Sequence, residues 1–304
     1  LGFNVKRTMR VAQKLYEGGL ITYMRTDAPS LSKESINDAR SFINENIGEN
    51  YLTNAPRIYS STENAQEAHE AVRPTNSFLK PQDVMQLSEE ESKLYKLIWE
   101  RFIASQLPDA EYLSTSAKIY VDQNTFVAKG RELVFDGFTK VLKNPVKEED
   151  ILPTLNEGDT IEKKSIDLEQ KFTKPPSRYS EAALVRELEK KGIGRPSTYA
   201  NIISTIQDRG YVEIENKRFF VKKIGHIVTE RLVESFDDIM NYDFTANLEN
   251  NLDKVANGDL DWRNVLDEFY DAFKNDLNNA SDETNGMRGN RPTKTDLTCP
   301  NCNE

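Results

Sequence analysis

Cysteine is scarce in this chain and long apolar runs are missing, and each shortage removes a class of protein. Only two cysteines occur in 304 residues, both in Cys299-Pro-Asn-Cys302 near the end. That argues against a disulfide-stapled scaffold and suits a reducing compartment. No apolar run approaches the roughly 18 residues a membrane span needs, and the opening Leu1-Gly2-Phe3-Asn4-Val5-Lys6-Arg7 has no apolar signal core. Membrane and secretory readings are set aside, and the expected location is the cytoplasm. There is no internal repeat. The chain begins with Leu and stops two residues after the CxxC, so a fragment of a longer protein is expected.

What is present describes a folding chain with a large wetted surface: 37% of residues are hydrophobic and 30% are charged. At roughly 150 residues per domain the length suggests about two domains. The net charge of −10 would argue against a nucleic-acid partner if it were evenly spread. It is not: residues 171–224 carry 12 basic and 6 acidic side chains, between acidic stretches on both sides. A basic island in an acidic chain is the footprint a phosphate-binding surface leaves, although a solvated basic face would look the same.

Periodicity divides the chain into four segments. In 1–109 the pattern is helical: 7–17 with Met9, Ala12, Leu15 and Tyr16 inward and Gly18-Gly19 as its stop, then a short strand Leu20–Met24. A helix capped by Ser32 follows, with Ile36, Ala39, Phe42 and Ile43 inward, and another spans about 89–106 with Leu94, Leu97, Ile98 and Phe102 inward. The period becomes two in 110–171, with strands at 116–121, 125–131 and 133–135 and a charged loop Lys147–Asp150. In 172–280 the order is a helix capped by Ser180, a Gly192-Ile193-Gly194 turn, a helix with Pro196 at its first position running to Arg209, and a hairpin over 211–221. Amphipathic helix then returns to about 279. Helix, glycine turn, helix, hairpin is the order of a winged helix-turn-helix. Residues 281–304 read as a linker leading to the two cysteines.

Tyr23 and Arg25 stand two apart at the end of the expected strand and so share a face. A phenol attacks phosphorus poorly until a nearby cation stabilises the charge that develops, which is what an arginine in that place supplies. Taken alone, such a pair is more often half-buried strand sequence. The whole stretch Gly19-Leu20-Ile21-Thr22-Tyr23-Met24-Arg25-Thr26-Asp27, however, resembles the active-site tyrosine signature of bacterial type IA DNA topoisomerases. Gln66 to Thr75 (QEAHEAVRPT) resembles that family's histidine motif. Phe172 to Ala182, running into Gly192 to Ala200, resembles its DNA-gripping helical domain, and Tyr242-Asp243-Phe244-Thr245-Ala246 a later signature in that domain. The matching blocks run in order from Leu1 to about residue 275.

The resemblance implies a mixed α+β, multi-domain fold, mainly helical, with winged-helix (CAP-like) units and a β-rich arch at 110–171. It implies that Tyr23 attacks one DNA strand, links to the 5′ phosphate and releases a 3′ hydroxyl, with resealing after strand passage and no ATP. Arg25 would hold the scissile phosphate, and His69 would orient it or support the hydroxyl. His226 lies in no such block and is expected to be structural. In the basic island Arg195, Ser197 and Thr198 read as a phosphate clamp at a helix start, joined by Arg178, Tyr179 and Arg209 on the same unit. The partner implied is DNA, especially single-stranded regions, with a monomeric, nucleoid-associated enzyme. The family's Mg2+ site precedes the tyrosine and has no counterpart in this sequence, and Cys299 with Cys302 would form half of a zinc ribbon, too few ligands to hold zinc. The competing reading is a winged-helix DNA-binding protein without catalysis, which leaves the Tyr23 and His69 blocks unexplained.

Overall fold

Asn4 opens the first helix, α1 (Val5–Glu17), by accepting the Arg7 N–H on its side chain at 2.8 Å. Val11, Ala12 and Leu15 are its buried face. The helix closes in a Schellman turn: Gly19 adopts φ +70°, and the Leu20 N–H donates back to the Leu15 carbonyl at 2.9 Å. That reversal sends Leu20 and Ile21 back along the core. Tyr16, expected inward, is 41% exposed instead. The structure, a computed structural model, describes residues 1–60, 70–143 and 151–282, in two units divided between Pro176 and Ser177.

The first unit is built on three helices. Ser32 caps α2 (Lys33–Asn46), accepting the Ser35 N–H at 3.2 Å, and Ile36, Ala39, Phe42 and Ile43 are buried as the periodicity predicts. A capping box between Ser88 and Glu91 starts α3 (Glu89–Ser105). Its buried face runs through Leu94, Tyr95, Trp99, Phe102 and Ile103, whereas Leu97, expected inward, is 38% exposed. The seam is rotated because the two large aromatics enter the core with their polar ends satisfied. The Tyr95 hydroxyl donates to the Leu79 carbonyl at 2.8 Å and Trp99 Nε1 to the Ser77 carbonyl at 2.9 Å. Burial pushes the Tyr95 phenol up to about 12. Along the α1–α3 seam Arg7 and Arg10 pair with Glu90, and Lys14 with Glu91.

The expected strands at 125–131 and 133–135 are one strand. β1 (Glu111–Val121) and β2 (Asn124–Phe135) form an antiparallel hairpin around Asp122-Gln123, with Asp122 at φ +52°. A bulge sits at its base, where Glu111 pairs with Phe135 but Tyr112 with Leu133. The base is tied to the helices: the Phe138 N–H donates to the Pro108 carbonyl at 2.9 Å and the Tyr51 hydroxyl to Asp136 Oδ1 at 2.5 Å. Beyond Phe135 the expected β character does not continue. The described residues between 136 and 171 hold a 3-10 turn at Gly137–Lys140 but no strand, and the 151–171 stretch is mostly exposed. The charged loop Lys147–Asp150 lies outside the described residues.

In the second unit, Ser180 accepts the Ala183 N–H at 3.2 Å and opens α4 (Glu181–Lys190). Gly192 and Gly194 take φ +70° and +78°, as a tight turn requires. The next helix, α5 (Tyr199–Asp208), starts three residues later than expected. The Arg195 carbonyl accepts the Thr198 N–H at 2.8 Å and the Arg195 N–H is taken by Thr198 Oγ1 at 2.9 Å, closing a separate turn before the helix. Pro196 therefore sits in that turn. A hairpin of β3 (Val212–Glu215) and β4 (Arg218–Val221) follows, its Asn216-Lys217 turn with both φ positive. Then come α6 (Lys223–Ser235), the short α7 (Asp237–Met240), α8 (Tyr242–Asn257) and α9 (Trp262–Ala280). Phe236, Phe273, Phe269 and Phe244 pack ring to ring across this group. The linker from Glu283 onward and both cysteines lie outside the described residues. Among the described residues no helix is long and apolar enough to cross a membrane.

Among the described residues the architecture is mixed helix and sheet, helices predominating, with two small antiparallel hairpins.

Candidate active site

The expected strand Leu20–Met24 is reduced to a single bridge between Ile21 and Pro74. Two backbone bonds flank it: the Thr22 N–H donates to the Arg73 carbonyl at 2.9 Å and the Thr75 N–H to the Leu20 carbonyl at 3.1 Å. The ladder stops there because the Thr22 hydroxyl takes its next rung, accepting the Arg73 N–H at 3.0 Å and donating to the Ala71 carbonyl at 2.9 Å. Thr75 Oγ1 adds a bond to the Gly19 carbonyl at 2.7 Å. The described end of the histidine block, Glu70–Thr75, is thus stitched along the tyrosine block by backbone and hydroxyl bonds. Two motifs some fifty residues apart in sequence share one edge.

Past the bridge the chain is irregular, so strand alternation does not set where Tyr23 and Arg25 point. Tyr23 is 43% exposed, and its ring meets that of Tyr16 at a centroid distance of 5.2 Å. Arg25 is exposed, and among the described residues it makes no hydrogen bond or ion pair. A phenol and an unpaired guanidinium therefore stand within two residues of each other at the surface, available to a phosphate. Arg73, by contrast, is engaged by Glu70, Nε to Oε2 at 2.7 Å. His69 lies outside the described residues. A cleft of about 460 Å³ opens elsewhere in this unit, between Pro29, Leu31, Tyr59, Phe102, Leu107 and Phe138, and neither Tyr23 nor Arg25 lines it.

The residues expected to grip nucleic acid fall into two groups. Arg178 and Tyr179 run beside the β3–β4 hairpin: the Phe219 N–H donates to the Tyr179 carbonyl at 2.9 Å, Arg218 donates to the Arg178 carbonyl at 3.0 Å, and the Arg178 guanidinium lies 4.5 Å from the centre of the Phe220 ring. Tyr179 is 47% exposed. Arg209 follows α5 and is exposed. The second group is the turn before α5, where Ser197 and Thr198 are exposed but Arg195 is not free. Its guanidinium donates to the carbonyls of Gly194 at 2.9 Å and Gly192 at 3.3 Å and to Asp253 Oδ2 at 2.7 Å, with Glu249 at 4.0 Å. Nor does Arg195 head the helix, which begins at Tyr199. Partial burial works against its charge, but the hydrogen bond and charge of Asp253, with Glu249 and Tyr199, outweigh it and raise its pKa. His226 is exposed on α6.

Three residues that matter here were missed in the sequence: Tyr16 against Tyr23, Thr22 in the bridge, and Asp253 on Arg195. For Asp253 a signal existed. Lys191 Nζ lies 4.6 Å from the centre of the Tyr242 ring, Gly192 faces Ala246, and Arg195 meets Glu249 and Asp253. Positions 242, 246, 249 and 253 are one face of α8, so the signature that begins this helix and the glycine turn are parts of one contact.

Residues 1–267 match the family model described as DNA topoisomerase. The chain belongs to the DNA topoisomerase family. It is 52% identical to DNA topoisomerase 1 of Pseudomonas aeruginosa and 50% identical to that of Escherichia coli, in each case over 99% of this chain and 35% of the relative. The solved structure of full-length topoisomerase I from Thermotoga maritima superposes with a TM-score of 0.80 at 36% identity, covering 90% of this chain and 46% of that one. These relatives identify the chain as a portion of a bacterial type IA topoisomerase, one that spans about a third of the length of its curated relatives.

Proposed function

We propose that this chain supplies the nucleophile and part of the strand-binding surface of an ATP-independent DNA topoisomerase that relaxes negatively supercoiled DNA. The observation that carries the reading is the exposed Tyr23–Arg25 pair, held at the seam where two family motifs are hydrogen-bonded together. In the proposed step the Tyr23 oxygen attacks a backbone phosphorus, a bond forms between them, and the bond to the 3′ oxygen breaks. The DNA is left with a 5′-phosphotyrosine link and a free 3′ hydroxyl. Reversal reseals the strand after another has passed, and the phosphotyrosine bond keeps the phosphodiester energy. Arg25 stabilises the charge that grows on the phosphate, and the role left to His69 is to orient the phosphate or to support the Tyr23 hydroxyl.

The segment α4, glycine turn, α5 and β3–β4 hairpin has the order of a winged-helix unit, and we assign it the single-strand contact through Arg178, Tyr179, Ser197, Thr198 and Arg209. The β1–β2 hairpin is assigned to the arch. Among the described residues no group of three or more His, Cys, Asp or Glu is arranged to hold a metal ion. By itself the chain binds single strands without completing the cycle.

Covalent trapping tests the reading. The chain, supplied with Mg2+ and the preceding part of a full-length relative, is mixed with a single-stranded oligonucleotide labelled at its 3′ end. A labelled adduct that maps to Tyr23 and disappears in Tyr23→Phe is expected. Arg25→Ala should retain cleavage reduced by about 10²- to 10³-fold, the cost of one charge-stabilising donor. No adduct with the wild-type chain overturns the proposal and leaves the non-catalytic winged-helix reading.

A further inference from the structure

Arg195 is the best-engaged cation of the basic island, and the way it is engaged is asymmetric. Nη1 is committed to backbone, at 2.9 Å from the Gly194 carbonyl and 3.3 Å from that of Gly192. Nη2 faces a carboxylate, Asp253 Oδ2 at 2.7 Å. A guanidinium fork fits carboxylate and phosphate oxygens in the same geometry. Replacing the Asp253 oxygen by a phosphate oxygen on Nη2 would therefore leave the Nη1 anchors, and the position of the guanidinium, unchanged.

The surroundings allow that exchange. The Arg195 side chain retains 26% of its exposure and that of Asp253 retains 42%, so the carboxylate rotates into water at little cost once released. Ser197, exposed, follows Arg195 in the chain and adds a hydroxyl beside the same turn, whose shape is fixed by the Thr198 hydroxyl bonded to the Arg195 backbone. Glu249, at 4.0 Å and with no hydrogen bond, adds negative charge at that spot without holding the fork. An arginine needed only as a packing strut would be served by the two carbonyls. What Asp253 adds is an anion on the one edge that an incoming phosphate would use.

We propose that Asp253 is an internal stand-in for DNA phosphate: it occupies Nη2 of Arg195 in the free protein and is displaced when a strand binds, so that it sets the affinity of this part of the grip. The inference rests on the proposed single-strand contact of the second unit and names the residue that tunes it. Asp253 is a positioning residue, because it acts through Arg195 and does not touch DNA.

Two measurements on the 304-residue chain separate this inference from the reading beneath it. The first is anisotropy of a labelled single-stranded oligonucleotide. Asp253→Asn should raise affinity about two- to fivefold, the worth of a half-exposed ion pair. The gain should vanish in an Arg195→Ala background. Asp267→Asn on α9, which removes the same charge from a residue not paired with Arg195, should give no comparable gain. A gain of equal size from Asp267→Asn, or a fall or no change with a correctly melting Asp253→Asn, overturns the inference and makes Asp253 a strut. If Asp253→Asn fails to fold, Glu249→Gln replaces it, with a smaller gain expected in the same direction and no gain counting against. The second is the arginine side-chain NMR signal of Arg195 titrated with inorganic phosphate, which needs no DNA. The signal should move, and at lower phosphate in Asp253→Asn. A fixed signal overturns the exchange, whereas a moving signal in a chain that ignores oligonucleotides upholds the exchange and sinks only the DNA-binding reading.

Discussion

The ring of Tyr16 meets that of Tyr23 edge-on, with centroids 5.2 Å apart and planes at 65°. The last turn of α1 therefore props the proposed nucleophile across the Gly18-Gly19 turn. Such pairs contribute about 0.5–1.5 kcal/mol beyond the area they bury. Tyr16→Leu should lower the rate of adduct formation about two- to tenfold in the complemented enzyme, and Tyr16→Phe, which keeps the ring, should restore it. Equal loss in both variants would mean that the Tyr16 hydroxyl, and not its ring, is what matters.

Thr22 joins the two motif blocks with one hydroxyl that both accepts from Arg73 and donates to Ala71. Thr22→Val keeps the shape and removes both bonds, leaving a part-buried N–H and carbonyl unpaired, at a cost of about 1–3 kcal/mol. Thr22→Ser should recover most of it. Urea unfolding of the three proteins checks the ranking, and a Thr22→Val protein as stable as wild type would show that water substitutes for the hydroxyl.

Gly137 holds φ +47° at the base of the β1–β2 hairpin, where a Cβ would overlap the Asp109 carbonyl. Gly137→Ala should destabilise the first unit by about 1–3 kcal/mol. Amide exchange across 112–134 should rise with it, since the Phe138 bond to Pro108 loses its alignment. Unchanged exchange would place the anchoring of the hairpin elsewhere.

The Ser88–Glu91 capping box gives a pH signature. Hydrogen bonds from the Ser88 backbone and side chain hold the Glu91 carboxyl below its ordinary 4.5, with Lys14 adding to the shift. A depressed folded-state pKa stabilises the fold above the unfolded value, and that contribution is lost as pH falls below about 4.5 through the folded value. Glu91→Gln, which keeps a side-chain acceptor for the Ser88 N–H but removes the charge, should therefore cost about 0.3–1 kcal/mol at pH 7 and less in acid. Thermal melts of both proteins at pH 7 and pH 3.5 check it, and a gap that does not narrow on acidification would remove the Glu91 charge from the effect.

Local chemistry was enough for much of the fold. Ser32 and Ser180 as caps, the inward faces of α2 and most of α3, the glycine turns and both hairpins follow from groups within a few residues of one another, so the sequence already contains their cause. The same holds for the block around Tyr23, because a motif is a local string and residues 1–267 match the DNA topoisomerase family model. Three departures in the fold share one origin. The strand at 20–24 was lost to the hydroxyl of Thr22, the helix start at Pro196 to the hydroxyl of Thr198, and the α3 seam turned because Tyr95 and Trp99 found carbonyl partners at Leu79 and Ser77. In each case a side-chain hydrogen bond worth about 1 kcal/mol outweighed a periodic preference of a few tenths.

What the sequence by itself determined, then, is which residues can do chemistry: a tyrosine, an arginine two residues on, and a basic island. What only the tertiary structure decided is which of them are free to do it. Arg25 and Arg195 look alike as letters, yet one is exposed and unpaired among the described residues, while the other is held by Asp253 from a helix 58 residues away. The charge of a side chain is fixed by its own atoms. Its availability depends on which counter-charge the packed chain brings within about 3 Å, and that is settled by the docking of α8 onto the glycine turn.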